Sequence, residues 1–138
     1  KTKKDTGMIL YHQTSSKIAD IIVKTQEMKL GSRGLAGGGI YFADKPELTN
    51  KLTTNFGPIL KARVSLGKIL VVDRASEREM HSLRNMTLSQ INNRGTGYNS
   101  VCIMRHGTSD SLSGRRGEGL EIIVYDPDQV SNIEKLRN

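Results

Sequence analysis

Gly34-Leu-Ala-Gly-Gly-Gly-Ile-Tyr-Phe-Ala-Asp-Lys-Pro46 sets three consecutive glycines, Gly37 to Gly39, ahead of a short apolar strand pattern, Ile40 to Ala43, and stops at an Asp and a Pro. Lacking a Cβ, glycine reaches positive φ and lets a ligand approach the backbone closely. Neighbouring residues of a strand face opposite ways, so one of Tyr41 and Phe42 packs inward while the other offers its ring to whatever the glycines leave room for. A plain glycine turn feeding a buried strand explains the same pattern. Two phosphate-binding motifs do not fit: no Gly-Lys-Ser/Thr closes the run, and no helix pattern follows it at once.

Upstream, Met8 to His12 is a short apolar run with strand character. Ile18, Ile21, Ile22 and Thr25 then recur at helical spacing and predict an amphipathic helix over 16–28. A Ser or Thr of Gln13-Thr-Ser-Ser16 caps its start, and Gly31 ends it. Downstream, Pro46 at a first helical position with Glu47 behind it predicts a helix over 46–55, broken by Gly57-Pro58. Strands over 59–64 and 68–72 follow, with a bend at Ser65-Leu-Gly67. Residues 73–90 are charged and helix-like, 91–98 are turn material, and 100–104 form a further strand. A Gly-, Ser- and Arg-rich loop over 105–119 precedes the last clear strand, 120–125, and a polar tail over 128–138, read as a final turn or strand, closes the chain. Residues 1–7 are a loose, basic N-terminal segment. The order β-α-β-α and then mostly β predicts an α+β fold rather than a doubly wound parallel sheet.

The 138 residues fit one domain with a core of its own. With 21 basic against 14 acidic residues the net charge is +7, which favours anionic partners: a phosphorylated cofactor, a nucleic acid or an acidic protein. A solvated basic surface is the plainer account of the same number. Aromatic residues make up only 4% and Trp is absent, so a stacking platform for single strands is poorly supplied. Cys102 stands alone, which excludes an internal disulfide and favours a reducing, intracellular setting. No apolar run reaches the ~18 residues of a membrane span, and no signal-peptide pattern opens the chain. It begins Lys1-Thr-Lys-Lys4 without an initiator Met, as a piece of a longer protein would.

Three polar residues sit where strand patterns begin or end: His12, Tyr41 and Glu121. A His closing a strand is more often a satisfied structural residue than a catalytic one. A carboxylate inside Leu120-Glu-Ile-Ile-Val-Tyr125 is unusual, since Glu is depleted from strands and costly to bury without a partner. An edge strand with Glu121 facing water and a functional use of the carboxylate both account for it. Cys102 and His106 are four apart with no further ligand cluster, so no metal site is expected. Cys102 itself reads as a core thiol. Glu118 and Glu121 would face opposite sides of one strand and do not form an acid–base pair.

Five short blocks in order carry a resemblance: Leu10-Tyr-His-Gln-Thr14, Gly37-Gly-Gly-Ile-Tyr-Phe-Ala-Asp44, Ala62-Arg-Val-Ser-Leu-Gly67, Gly97-Tyr-Asn-Ser-Val101, and Leu120-Glu-Ile-Ile-Val-Tyr-Asp126 with Gln129-Val130. Together, from about residue 8 to residue 130, the chain resembles the catalytic domain of the poly(ADP-ribose) polymerase family, the diphtheria-toxin-like ADP-ribosyltransferases with a His-Tyr-Glu triad. The resemblance implies an ADP-ribosyltransferase fold of mostly antiparallel, split β-sheets with few flanking helices. It implies NAD as substrate, no metal, and a protein or nucleic-acid acceptor. His12 matches the histidine that bonds the adenosine ribose, Tyr41 the tyrosine that stacks on nicotinamide, and Glu121 the catalytic glutamate. Gln13 stands where the family has a Gly whose backbone holds the nicotinamide amide, and Thr14 matches the small hydroxyl after it. Thr49 falls where a Ser bonds the carboxamide, and Gly39, closing the glycine run ahead of Tyr41, counts among the NAD-binding residues that the resemblance implies. Leu52 stands where many members have a second stacking Tyr. Lys29 stands in for the basic residue near the adenine end. The short glycine-rich loop between Leu30 and Tyr41 implies a site open to NAD without an activator.

Two other classes compete with the transferase. One is a non-catalytic module that binds NAD or ADP-ribose on the same fold. The other is the related RNA 2′-phosphotransferases, which rely on basic residues in place of the Glu and are disfavoured by Glu121.

Overall fold

A computed structural model describes residues 7–53, 56–86, 91, 97–105 and 119–136. Most of the N-terminal segment, residues 54–55, most of the 91–98 turn, and the loop that carries His106 and Glu118 lie outside the described residues. The helix predicted over 46–55 stops earlier, at Leu52, because Thr53 is already extended (φ −86°, ψ 147°).

Strand β1, Met8–Gln13, leads into helix α1, Ser16–Thr25, and strand β2 covers Ile40–Ala43. A 3-10 turn, Pro46–Leu48, runs into the single turn α2, Thr49–Leu52. Then come β3, Ile59–Val64; β4, Ile69–Asp73; α3, Glu77–Arg84; β5, Ser100–Arg105; and β6, Gly119–Val124. After a 3-10 turn, Pro127–Gln129, strand β7 takes Val130–Lys135, so the polar tail holds both a turn and a strand. The result is an α+β architecture.

The strands form one seven-stranded sheet in the order β4-β5-β6-β2-β1-β3-β7. Among the described residues, only β4 and β5 run parallel; the other pairs are antiparallel. The split β-sheets expected from the resemblance are here halves of one sheet, thinly joined. Strands β1 and β2 share a single registered pair, Tyr11 with Ala43, whereas β1 and β3 share six and β2 and β6 share four. The bend after β3 does not make a hairpin: β4 goes to the far edge of the sheet.

Alternation along the strands sends side chains to two cores on opposite faces. Leu10, Phe42, Ile122 and Val124 join Ala19 and Ile22 of α1 on one face. Val101, Ile103 and Ile123 join Met80 and Leu83 of α3 on the other. Phe42 is 1% exposed, and truncating so large a core side chain to Ala would cost about 3–5 kcal/mol.

The stripe of α1 differs from the one its spacing predicts. Ala19 and Ile22 are buried, while Ile18 and Ile21 are exposed. The helix also ends earlier than Gly31. Ser15 caps its start, its side chain accepting from the Ile18 amide, but at the other end Gln26 turns left-handed with φ 59°. There the Gln26 amide side chain donates to the Ile133 carbonyl at 2.8 Å and accepts from the Ile133 amide at 2.9 Å. That two-way exchange with β7 replaces the next helical turn.

Candidate active site

The thin seam between β1 and β2 brings His12 and Tyr41 together. His12 is the last residue but one of β1, and its Nδ1 lies 2.6 Å from the carbonyl oxygen of Tyr41 on β2. A carbonyl only accepts, so Nδ1 carries the proton and Nε2 presents a lone pair. Burial holds the His12 ring below its usual pKa, against the opposing pull of the Tyr41 carbonyl, and keeps the imidazole neutral. The ring packs edge-on against Phe42 with centroids 5.9 Å apart.

As alternation requires, Phe42 enters the core and Tyr41 faces the opposite way. The Tyr41 hydroxyl accepts from the Ala36 amide at 2.9 Å and donates to the Gly37 carbonyl at 2.6 Å. Its pKa is pushed up to about 12, chiefly by burial, with the charge of Glu121 adding to the rise. Tyr125 holds the same loop from below, its hydroxyl donating to the Ala36 carbonyl at 2.7 Å. Ala36 is thus pinned through both of its backbone groups.

The glycines do less for a ligand than their run suggests. At Gly39 a Cβ would meet Ile123 Cγ2 at 2.7 Å and the Val124 carbonyl at 2.8 Å, so this residue is small for packing on β6. Gly34, at φ +145°, lies under the Tyr41 ring, and a Cβ there would sit 2.3 Å from the hydroxyl oxygen. Only Gly37, at φ +78°, has open space around its missing Cβ.

Two cavities meet at Tyr41 and Leu52. One, of about 190 Å³, is bordered by His12, Gln13, Thr14, Tyr41, Thr49 and Leu52 among others. The other, of about 610 Å³, is bordered by Arg33, Tyr41, Lys51, Leu52, Arg105 and Glu121 among others. The larger lies within the range of small-molecule pockets. Lys29 is elsewhere: it borders a third cavity with Pro127 and Asp128, away from the other expected residues.

Gln13 turns its side chain inward rather than into the cavity. Nε2 donates to Thr49 Oγ1 at 3.0 Å and to Asn50 Oδ1 at 2.8 Å, and Oε1 accepts from the Gly57 amide at 3.1 Å. The Gln13 carbonyl accepts from Thr53 Oγ1 at 3.2 Å, which leaves one lone pair for a ligand. Thr49 is 2% exposed, and its hydroxyl donates to the Pro46 carbonyl at 2.6 Å. One acceptor lone pair remains on it, suited to a carboxamide NH₂.

Glu121 is not on an edge strand. It lies on β6, between β5 and β2, and is 5% exposed. Registers Ala43 with Glu121 and Tyr41 with Ile123 put Tyr41 and Glu121 on one face as diagonal neighbours. Burial pushes the carboxyl pKa up; the charge and hydrogen bond of Arg105 and the charge of Arg74 pull it down without cancelling the rise. Arg105 Nη1 reaches Glu121 Oε1 at 2.9 Å. Sequence reading missed Arg105. Its signal was faint: a lone Arg closing Ser100-Val-Cys-Ile-Met-Arg105, on the strand before the glutamate's. Cys102 is buried in the core, as its neighbours suggested.

Among the described residues, no cluster of His, Cys, Asp and Glu is arranged to hold a metal ion, and no helix is long and apolar enough to cross a membrane. No protein-family model matches the chain, and no curated protein matches it.

Proposed function

We propose that the chain is an NAD-dependent ADP-ribosyltransferase of the His-Tyr-Glu type, carrying the ADP-ribosyltransferase fold. One observation carries this reading: a single aromatic wall, Tyr41, borders both a cavity with a neutral histidine and a larger one with a buried, arginine-bound carboxylate. The ordered blocks that resemble the poly(ADP-ribose) polymerase family support it, as does the thin seam between two half-sheets.

The chemistry explains why one carboxylate is enough. When the nicotinamide–ribose bond of NAD breaks, the electron pair leaves with a cationic ring nitrogen and neutral nicotinamide departs. The leaving group needs no proton, so the second carboxylate of a glycosidase has no task. The anomeric carbon develops oxocarbenium character until an acceptor oxygen or nitrogen bonds to it and loses its proton to solvent. Glu121 accepts a ribose hydroxyl and sets negative charge beside the developing positive charge. Tyr41 offers its ring to the nicotinamide. His12 Nε2 accepts from the adenosine ribose hydroxyl. Fixing both ends makes the reactive conformer the bound one.

The test is nicotinamide release from NAD, with ADP-ribose followed on added protein and nucleic-acid acceptors. Release with transfer to either acceptor supports the transferase. Saturable NAD binding with no release supports the second reading, a binding module. That reading draws on the hydroxyl of Thr49 and the carboxylate of Glu121, both already engaged within the protein.

A further inference from the structure

Glu121 is an acid in apolar company. Ile103 faces it on β5 and Ile123 follows it on the same side of β6. An ionised carboxylate in such a place is costly without a charged, hydrogen-bonded partner. Arg105 supplies one from a fixed position. It is the last residue of β5, pairs with Gly119, and so lies diagonally across from Glu121 on the same face. Its side chain is 20% exposed against 7% for that of Glu121, and both residues line the larger cavity.

We infer that Arg105 is the positioning residue of Glu121: by donating from Nη1 to Oε1 it fixes the carboxylate's rotation and leaves Oε2 to accept the ribose hydroxyl. This rests on the transferase reading. Arg105 touches neither reacting atom. Its task is to keep the carboxylate ionised and aimed before substrate arrives, at the cost of one of the four lone-pair sites that the two oxygens offer. Other charged or titratable groups act on Glu121 or line its cavity: Arg74 after β4 and Tyr41 on β2 couple to it, and Arg33 of the glycine loop and Lys51 on α2 border the same cavity. Arg105 differs from them in the 2.9 Å hydrogen bond that sets direction as well as charge.

The test compares wild type with Arg105→Gln, Arg105→Lys and Glu121→Gln in nicotinamide release, with kcat and KM for NAD measured across pH and folding checked by circular dichroism. Arg105→Gln should lower kcat about a hundredfold, the scale of losing catalytic alignment, with KM within about threefold. Its acid limb should move to higher pH, since the carboxyl loses the partner that holds its proton affinity down. Arg105→Lys should restore part of kcat and part of the shift, because Lys keeps the charge without the guanidinium's fixed fork. Wild-type kcat in folded Arg105→Gln, beside a dead Glu121→Gln, overturns the inference alone. So does a loss of kcat with the limb unmoved and no gain from Lys. Should Arg105→Gln not fold, Arg105→Lys decides: an unchanged kcat and an unmoved limb overturn the inference. No release by wild type overturns the transferase reading and the positioning role with it.

Discussion

His12 Nδ1 reaches the carbonyl oxygen of Tyr41 at 2.6 Å across the seam where β1 and β2 share only the pair Tyr11 with Ala43. A side chain thus supplies at this junction what backbone pairing supplies between the other strands. His12→Ala should lower stability by about 1–3 kcal/mol, the cost of leaving a half-buried acceptor without a partner. His12→Asn, which keeps a donor, should lose less; both should raise KM for NAD. Urea unfolding and steady-state kinetics check this. Burial lowers the folded-state pKa of His12 from 6.5, so its contribution is present above about pH 6.5 and is lost as pH falls through the lower folded value. The Tm of wild type should therefore fall more steeply below pH 6.5 than that of His12→Asn.

Tyr41 holds the rim of the cleft by its hydroxyl and offers the cleft its ring. Tyr41→Phe removes the bonds to Ala36 and Gly37 and keeps the ring. The expected outcome is faster amide exchange at Ala36, a stability loss of about 1–3 kcal/mol, and a rise in KM that exceeds any fall in kcat. Exchange of Ala36 no faster than in wild type would show that the hydroxyl does not hold the loop.

The glycines of that rim should separate by what lies over them. Gly34→Ala forces a Cβ into the Tyr41 hydroxyl and should cost more stability than Gly37→Ala, which bears only the backbone strain of positive φ, about 1–2 kcal/mol. Gly34→Ala should also reproduce the loop loosening of Tyr41→Phe. Chemical denaturation of the two variants side by side gives the order.

Glu121 carries a stability cost that the site requires. Its pKa is raised by burial even with Arg105 and Arg74 opposing, so its contribution favours the fold below the unfolded carboxyl pKa of about 4.3 and is lost as pH rises through the higher folded value. Glu121→Gln does not titrate. The Tm of Glu121→Gln relative to wild type should rise between pH 4 and pH 7, read by a thermal scan at each pH.

Much of this was legible in the strand patterns. The alternation of Tyr41 and Phe42, the apolar run ending at His12 and the odd carboxylate in Leu120-Glu-Ile-Ile-Val-Tyr125 each marked a strand whose ends meet at the cleft. What sequence could not show depends on contacts between distant segments. Gln26 ends α1 because Ile133, 107 residues on, takes both groups of its side chain. Helical spacing could not tell the buried stripe of Ala19 and Ile22 from the neighbouring one of Ile18 and Ile21. Gly39 looks like ligand space until β6 is laid against it. Lys29 follows α1 to another cavity, and Arg105 gains meaning only through the register of β5 on β6.

The most direct measurement incubates labelled NAD with wild type beside Glu121→Ala and follows nicotinamide release and label on the acceptor together. Wild type should release nicotinamide and transfer label, and Glu121→Ala should do neither while keeping most of the NAD affinity. Full turnover by Glu121→Ala, or NAD bound and never cleaved by wild type, would contradict the proposed Glu121-dependent transfer.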